Sequence, residues 1–469
     1  MSELNPFIDP LNEIDLFNLF QTLSKKPYAF FLHHERYCLL GWDPFLTFKS
    51  KGPHIKIENS DQKIEKIFSQ DPLSILQNLF KEYVLPFQNI PFFQGGLVGY
   101  FGYDLARMLE KIPSFSKDDQ NYPDICVGFY DRAYLYDHLK KKGMLIAIPL
   151  PGENSQQALN KIQWLKQALS EEDRRQKTED QNELEIQPFV SNFTKENYLN
   201  TIQKIKNYIA EGDIYQANLS QRFSATFSGD SFSLFKTLAT NQPAPFASYF
   251  HTPELDLVSL SPERFLRIEN RQIETRPIKG TRPRGKTPLE DSQLKQELLE
   301  SRKDAAELLM IIDLERNDLG KVCEYGSVQV LEQKRIESHP NVFHLVGTVQ
   351  GILKQKVDPF DCLRAIFPGG SITGAPKIRA MEIIEELEPT RRNLYTGIFG
   401  TIGFNGVSDL SILIRTLIRS QNKISFQVGG GIVADSDPEK EYEETLAKGS
   451  IFFNVSKSYL FQQPVFQGK

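Results

Sequence analysis

The sequence predicts an α+β protein with largely antiparallel sheets. Short runs with the alternation of strands recur along the chain, among them KPYAFFLHH (26–34) and DICVGFYDRAYLYDH (124–138). Helical stretches lie between such runs, and no repeat of fixed period or heptad array is visible. Short hairpin-like strands with helices between them favour α+β architecture over parallel βαβ units.

The clearest predicted helix begins after Thr194, a residue type that caps helix N-termini. Its apolar face carries Tyr198, Ile202, Ile205 and Ile209, and Gly212 follows its end. Further helices are predicted at 289–318, 375–388 and 438–449. Strands are predicted at 213–227, 257–270, 397–406, 409–420 and 423–431.

A charged segment divides the chain. Residues 168–185 (ALSEEDRRQKTEDQNELE) contain no aromatic residue, so they cannot bury a face. We interpret them as an exposed linker or as a helix tail that runs into one. The predicted division is an N-terminal region at 1–167, a linker at 168–188 and a second domain at 189–460. In the first region, FQGGLVGYFGYD (93–104) sets glycines among aromatics, which indicates close backbone approach.

Composition disfavours several function classes. The 469 residues carry 55 Lys and Arg against 60 Asp and Glu, a net charge of −5, so nothing suggests a nucleic-acid partner. Apolar stretches such as LLMII (308–312) are far shorter than a membrane span. Four scattered cysteines form no CxxC pair, and the first residues are unlike a secretory signal, so a reducing cytoplasm is expected.

The segment TRPIKGTRPRG (275–285) is the first candidate for chemistry. It places Arg276, Lys279, Arg282 and Arg284 in a stretch rich in turn-forming residues. One interpretation is a solvated basic loop. The other is that Lys279 is a nucleophile, because neighbouring cations and partial burial would both lower the pKa of its amine from about 10.4.

Two predicted helices carry paired carboxylates. Asp304 and Glu307 share one helix face, and Glu441 and Glu444 do the same near the C-terminus, with Lys448 one turn further on. Two carboxylates on each of two helices could clamp a hard divalent cation such as magnesium, with waters and substrate oxygens completing its shell. Ordinary surface helices with Glu–Lys pairs are the alternative.

Two glycine-rich strings, QVGGGIVAD (427–435) and PGGSITGAPK (368–377), could hold an anion on bare backbone N–H groups. A dinucleotide site at the first string is excluded, because the helix starts too late and no acidic residue follows at the ribose spacing. A pair of tight turns is the alternative, and neither string decides the matter alone. His344 lies in an apolar run, where a satisfied core histidine is the alternative to a catalytic one.

In their order along the chain, these strings resemble the chorismate-utilising enzymes, a family that includes anthranilate, aminodeoxychorismate, isochorismate and salicylate synthases. The strings that carry the resemblance are DIYQANLSQRF, LSPERF, PIKGTRPRG, DLERNDLG, GSITGAPK and GGGIVADSDPEKEYEET, and FQGGLVGYFGYD extends it into the N-terminal region. The resemblance implies the fold of anthranilate synthase component I, with two packed, largely antiparallel sheets and helices on the outer faces. Residues 189–460 would then be the chorismate-binding catalytic domain.

The resemblance also implies roles for single residues. The implied catalytic residues are Lys279, Glu263 and His344. The implied substrate contacts are Gly280, Thr281, Tyr395, Arg415, Gly429, Gly430, Gly431 and Lys448. The implied magnesium (Mg2+) ligands are Glu307 and Glu444, with Asp304 and Glu441 as outer or water-mediated partners.

Lys279 selects the branch of the family. Anthranilate synthases typically read PIAGT where this chain reads PIKGT, as bacterial aminodeoxychorismate synthases do, and NQPAPFASYF (241–250) is similar to the same branch. The resemblance therefore implies amination of chorismate to 4-amino-4-deoxychorismate, for para-aminobenzoate and folate synthesis. Ortho amination with loss of pyruvate, as in anthranilate synthase component I, is the alternative. No glutaminase elbow surrounds any cysteine, so a separate glutamine amidotransferase subunit would supply ammonia.

Overall fold

The computed structural model describes residues 7–11, 15–34, 36–60, 63–84, 93–175 and 184–455. The N-terminal strands are β1 (Phe7–Leu11), β2 (Phe30–His34), β3 (Tyr37–Gly41), β4 (Leu46–Lys51), β5 (His54–Asn59), β6 (Ile64–Phe68), β7 (Gly96–Phe101), β8 (Ile125–Tyr130), β9 (Arg132–Asp137) and β10 (Lys142–Ala147). The later strands are β11 (Glu185–Ile186), β12 (Val190–Ser191), β13 (Gln216–Ser228), β14 (Phe246–His251), β15 (Asp256–Ser261), β16 (Arg264–Glu269), β17 (Gln272–Arg276), β18 (Ile278–Pro283), β19 (Gln329–Ser338), β20 (Val342–Ile352), β21 (Gly374–Ala375), β22 (Ile398–Gly403), β23 (Ser408–Ile412), β24 (Thr416–Ser420) and β25 (Lys423–Ile432).

The helices are α1 (Leu16–Leu23), α2 (Pro72–Lys81), α3 (Ala106–Leu109), α4 (Ser155–Arg175), α5 (Lys195–Ala210), α6 (Ser231–Asn241), α7 (Pro288–Glu300), α8 (Arg302–Val322), α9 (Pro359–Ile366), α10 (Lys377–Leu387) and α11 (Pro438–Phe453). Short 3₁₀ turns occur at Tyr103–Leu105 and Gly370–Ile372. Helices and strands are found within all the stretches predicted for them. The predicted strands 257–270 and 409–420 were wrong as single strands, because each contains two strands that belong to different sheets: β15 and β16 in the first stretch, β23 and β24 in the second.

Two large antiparallel sheets organise these elements. The first sheet has the strand order β1-β10-β9-β3-β2-β14-β15-β24-β25-β13-β11, with β12 and β21 also paired to β13. The second has the order β18-β20-β17-β16-β23-β22-β7-β8-β4-β5-β6, with β19 paired to β20. Each long ladder among the described strands is antiparallel, which confirms the predicted sheet type.

The two sheets pack face to face through large apolar side chains. Phe30 and Phe250 of the first sheet and Tyr100 and Phe399 of the second belong to one buried cluster, and the Phe250 and Phe399 ring centroids are 5.5 Å apart. Helices α1, α4, α6 and α11 cover the outer face of the first sheet, and α2, α8 and α9 cover that of the second. The predicted fold, packed antiparallel sheets with helices outside, is confirmed.

The sequence signals placed the start of α5 correctly but missed a helix boundary further along the chain. Thr194 caps α5 by accepting a hydrogen bond from the backbone N–H of Asn197. The single helix predicted at 289–318 was wrong, because the chain forms two helices that meet at Ser301. Ser301 has ψ 110°, outside the helical region, so α7 ends before it. Its hydroxyl accepts a hydrogen bond from the N–H of Asp304, which makes Ser301 the N-cap of α8.

Both sheets contain strands from either side of the charged segment. β2 pairs with β14 in the first sheet, and β7 pairs with β22 in the second. The close approach expected at 93–104 is present, since a β-carbon on Gly99 would lie 2.2 Å from the Cys126 carbonyl oxygen. The division at 168–188 stays a prediction: residues up to 175 end α4, and residues 176–183 and 456–460 lie outside the described residues.

None of the described helices is long and apolar enough to cross a membrane. All four cysteines are free and buried. The cytoplasmic location expected from the sequence stays a prediction.

Candidate active site

Lys279 lies on β18, an end strand of the second sheet, where the sequence pattern suggested a turn-rich loop. β18 pairs with β20, and an extra residue at Gly280 shifts the register between Lys279 and Thr281. Gly280 has φ +73°, a left-handed conformation that favours glycine. Lys279 therefore pairs with Leu345 while Thr281 pairs with His344, and the bulge turns two residues of one strand toward different neighbours.

Burial lowers the pKa of Lys279 below its ordinary value of 10.5, and nearby carboxylates, Glu307 first among them, oppose this shift. The sequence-based explanation named burial and flanking cations, and only burial is confirmed. The three flanking arginines are each bound by a carboxylate: Arg276 by Glu337, Arg282 by Asp304 and Glu297, and Arg284 by Asp291. Of the lysine's other neighbours, the cation that adds to the lowering is Lys448, from α11.

Glu263 lies in the turn between β15 and β16. Its side chain is 4% exposed, and its Oε1 accepts a hydrogen bond of 2.7 Å from Ser371 Oγ. Burial raises the pKa of Glu263 to about 7, against the lowering by Ser371 and Lys279. Lys279 Nζ lies 3.4 Å from the carbonyl oxygen of Ser371. A carboxyl whose pKa is raised to about 7 and an amine whose pKa is lowered thus contact the same residue, Ser371.

The paired carboxylates predicted on two helices converge from α8 and α11. Burial raises the pKa of Glu307 and of Glu441, and repulsion from neighbouring carboxylates adds to both shifts. Glu444 differs, because its ion pair of 2.7 Å with Lys448 helps to lower its pKa despite burial. Lys448 Nζ also donates to the Gly429 carbonyl oxygen at 2.9 Å. The exposed i,i+4 pair of Glu444 and Lys448 is the kind of contact that the alternative interpretation expects, whereas Glu441 on the same helix is buried. The metal site therefore stays a prediction.

The chemistry of these donors fits a hard divalent cation. The charge of Glu441 contributes to the raised pKa of Glu307, and that of Glu444 to the raised pKa of Glu441, so a bound cation would relieve repulsion among these carboxylates. Within the described residues, no three His, Cys, Asp or Glu side chains already form a group that could hold a metal ion. Asp304 is bound to Arg282, with 3.2 Å between Nη2 and Oδ2.

His344 lies close to two other residues expected at the site, Thr281 and Arg415. Thr281 Oγ1 and His344 Nδ1 are 3.0 Å apart. Burial, with a contribution from Arg415, lowers the pKa of His344 to about 3, so this imidazole is neutral at physiological pH. No other described residue forms an ion pair or hydrogen bond with the Arg415 side chain, and burial alone lowers its pKa. A desolvated guanidinium without a counter-charge is suited to bind a carboxylate.

Burial also raises the pKa of Tyr395 to about 12, so its phenol stays protonated and can donate a hydrogen bond. Gly429, Gly430 and Gly431 lie in β25, opposite residues 218–220 of β13, and do not form the tight turns of the alternative interpretation. A β-carbon on Gly430 would lie 3.2 Å from Glu441 Oε2 and 3.9 Å from Lys448 Nζ. Gly430 therefore leaves space beside the charged side chains of α11.

Comparison with known proteins identifies the family of this chain. The profile of the chorismate binding enzymes matches residues 43–454. The chain belongs to the chorismate-binding enzyme family. It is 41% identical to aminodeoxychorismate synthase component 1 of Escherichia coli (strain K12), over 92% of this chain and 93% of that protein. It is 38% identical to anthranilate synthase component 1 of Thermus thermophilus, over 90% of each chain. The crystal structure of anthranilate synthase component I from Streptococcus pneumoniae TIGR4 superposes with a TM-score of 0.77 at 30% identity, covering 89% of this chain and 92% of that one.

Sequence reasoning missed two buried polar residues of this chorismate-binding enzyme. Ser371 lies in the GSITGAPK string, which drew attention only for its backbone and the start of α10. Glu315 lies on the apolar face of α8, where Ile311 and Leu319 are its helical neighbours one turn away. A carboxylate at a core position of an amphipathic helix is a detectable signal, because burying it without a partner is costly.

Replacing Glu263 by Gln should stabilise the fold at neutral pH. The folded-state pKa of about 7 lies above the ordinary 4.5, so the folded chain holds this proton more tightly than the unfolded chain does. Stability is therefore lost as the pH rises from 4.5 through 7, by at most about 3 kcal/mol. Glu263→Gln should unfold at a higher temperature than the parent protein at pH 7.5 and at nearly the same temperature below pH 5.

Thermal unfolding at the two pH values measures this effect. Glu65→Gln, an exposed substitution on β6, is the matched control and should change neither curve. Equal melting temperatures of Glu263→Gln and the parent protein at pH 7.5 would show that Glu263 carries no burial penalty.

Proposed function

We propose that this chorismate-binding enzyme aminates chorismate to 4-amino-4-deoxychorismate, with ammonia delivered by a separate glutamine amidotransferase subunit. The observation that carries the proposal is the placement of half-buried Lys279 and buried Glu263 against the same residue, Ser371. Burial shifts the pKa of the amine down and that of the carboxyl up, which favours a neutral nucleophile beside a protonated acid. A lysine at this position also matches the PIKGT string of the aminodeoxychorismate branch.

Substrate carboxylates would be held by residues that lack a partner or can donate. Arg415 is a partly buried cation that no described residue pairs with, and Tyr395 is a buried phenol that keeps its proton. Together they suit the pyruvyl carboxylate of chorismate. Thr281 and neutral His344 can contact the substrate ring from β18 and β20, and Gly430 leaves room beside α11.

The proposed reaction divides an allylic substitution into two displacements. The neutral amine of Lys279 forms a C–N bond to the ring while the ring C–O bond breaks, and Glu263 transfers its proton to the departing hydroxyl, which leaves as water. Ammonia then forms a C–N bond at the para carbon, and the Lys279 C–N bond breaks with its electron pair returning to the amine. The proton lost by the attacking ammonia can return to Glu263. Each displacement avoids a free carbocation.

Glu307 and Glu444 are the residues that would hold magnesium, with Glu441 beside them; Asp304, bound to Arg282, would contribute from the outer shell. The ion would anchor the ring carboxylate of the substrate and neutralise its charge. The Lys448 ammonium is paired with Glu444 in this structure. If Glu444 bound the metal, this ammonium would be placed to pair with a substrate oxygen instead.

A second subunit supplies the nitrogen in this proposal. The Escherichia coli relative is named component 1 of its synthase, which supports a chain that works with a partner. The four cysteines of this chain are all buried, and burial raises the pKa of each thiol well above its ordinary value. Thiols of that kind are poor nucleophiles for a glutaminase.

Product analysis tests the function directly. The purified chain, given chorismate, magnesium and ammonium chloride above pH 8, should consume chorismate without releasing pyruvate. Added aminodeoxychorismate lyase should then yield para-aminobenzoate and pyruvate. Glutamine in place of ammonium should give no product. Anthranilate and pyruvate formed without the lyase would assign the chain to ortho amination, the activity in the name of its Thermus thermophilus relative.

Replacing Glu307 or Glu444 by Gln should weaken magnesium dependence and turnover together. Each change removes one anionic donor, so the magnesium concentration for half-maximal rate should rise by roughly tenfold or more. Glu439→Gln, an exposed change at the start of α11 that breaks only the pair with Lys195, is the matched control. Normal rates at low magnesium in both site variants would remove these two residues from the metal site.

Replacing Lys279 tests the covalent step. Chorismate and magnesium without ammonia should leave a mass adduct on the peptide that contains Lys279, and Lys279→Ala should abolish it. Lys279→Ala should slow amination by roughly tenfold or more, although ammonia can attack directly in the emptied space. Lys279→Arg should be no faster, because a guanidinium stays protonated.

Lys286→Ala, at the exposed residue directly after the basic segment, should keep both adduct and rate. Full activity of Lys279→Arg would reduce Lys279 to an electrostatic contact, and the choice between para and ortho amination would then rest on product analysis.

A further inference from the structure

Ser371 contacts both members of the proposed reacting pair. Its hydroxyl donates to Glu263 Oε1 at 2.7 Å, and its backbone carbonyl oxygen lies 3.4 Å from Lys279 Nζ. The residue is 7% exposed and belongs to the 3₁₀ turn at Gly370–Ile372. Ser371 thus connects the carboxyl of Glu263 with the amine of Lys279, and it has no part of its own in the proposed bond changes.

Glu315 fixes the same turn from the side of α8. Its Oε1 lies 3.4 Å from the backbone N of Gly370, the residue before Ser371, and its side chain is 4% exposed. Burial raises the pKa of Glu315 to about 7, and the charge of Glu263 contributes to that rise. Lys377 of α10 and Asp318 of α8 are the other charged groups that face it. Two buried carboxyls therefore lie on either side of one short turn.

We infer that Ser371 is a positioning residue of this reaction: its hydroxyl orients the carboxyl of Glu263, its carbonyl holds the amine of Lys279 beside that carboxyl, and Glu315 anchors the turn from behind. This inference rests on the proposed amination. Since any residue at 371 keeps the carbonyl, a substitution there separates the effect on the acid from the effect on the amine.

Ser371 and Glu315 shift the pKa of Glu263 in opposite directions. A hydrogen bond donated by Ser371 stabilises the ionised carboxylate and lowers the pKa of Glu263, whereas a negative charge on Glu315 raises it. The other charged groups that face Glu263 are Lys279 of β18 and Lys448 of α11, and both lower that pKa. Loss of the hydroxyl should therefore raise the pKa of Glu263, and loss of the Glu315 charge should lower it.

The test compares kcat/KM for chorismate consumption between pH 6 and 9.5, with ammonium in fixed excess. The ratio of variant to parent removes the titration of ammonia, which is common to both. In Ser371→Ala this ratio should start below one and climb with pH by about tenfold, because one charge-assisted hydrogen bond corresponds to about one pH unit. In Glu315→Gln, which keeps an acceptor for the Gly370 N–H, the ratio should fall with pH.

Ser371→Thr keeps the hydroxyl and should restore a ratio that is constant with pH. A constant ratio in Ser371→Ala would overturn the role of Ser371, because a purely structural loss lowers the rate equally at every pH. A constant ratio in Glu315→Gln would show that Glu315 does not influence Glu263 through the turn. If Ser371→Ala does not fold, the comparison of Glu315→Gln with the parent protein is the test that remains. Chorismate consumption is independent of the position of amination, so these outcomes differ from a failure of the proposed function, in which the parent protein itself does not aminate chorismate.

Discussion

The ion pair between Arg392 and Glu388 connects the parts of the molecule that surround the site. Arg392 is 3% exposed, and its five N–H groups are directed at four acceptor residues: Glu388 twice, the carbonyls of Asn218 and Ile372, and the hydroxyl of Thr396. Its guanidinium also lies 5.6 Å from the ring centroid of Tyr395. These partners come from β13, from the turn that contains Ser371 and from the loop before β22. One side chain therefore fixes the mutual placement of three segments that sequence separates widely.

Such a pair is a stronger constraint on geometry than on stability. Desolvating two charges offsets most of their attraction, so replacing the pair with apolar residues could leave the fold equally stable. Positional precision is different, because each bond of the planar guanidinium restricts the direction of its partner. Glu388 extends the restriction, since its Oε1 also accepts from the N–H and the hydroxyl of Ser220. The turn at Gly370–Ile372 is consequently held from two sides, by Arg392 at Ile372 and by Glu315 at Gly370.

The sequence predicted the elements better than their junctions. Alternating apolar runs and the cap at Thr194 depend on local chemistry, so the sheets and α5 were predictable. Ser301 interrupts a helical pattern that continues across it, and the bulge at Gly280 exists because β18 pairs with β20, far along the chain. The site residues came from motifs that resemble a family, and burial, the dominant cause of the Lys279 shift, is visible only after folding. Glu315 and Ser371 were missed because their partners are 55 and 108 residues away.

In the proposed reaction, burial is what would allow Lys279 and Glu263 to serve as nucleophile and acid. In water such a pair would exist as ammonium and carboxylate, and their mutual attraction works in that direction here as well, since each opposes the pKa shift of the other. Burial penalises both ions at once and so favours the neutral pair. Access of water would remove this penalty by hydrating both ions, and the ammonium and carboxylate forms would then be favoured. The proposed reaction therefore depends on the burial of Glu263 and the partial burial of Lys279 as much as on their identities.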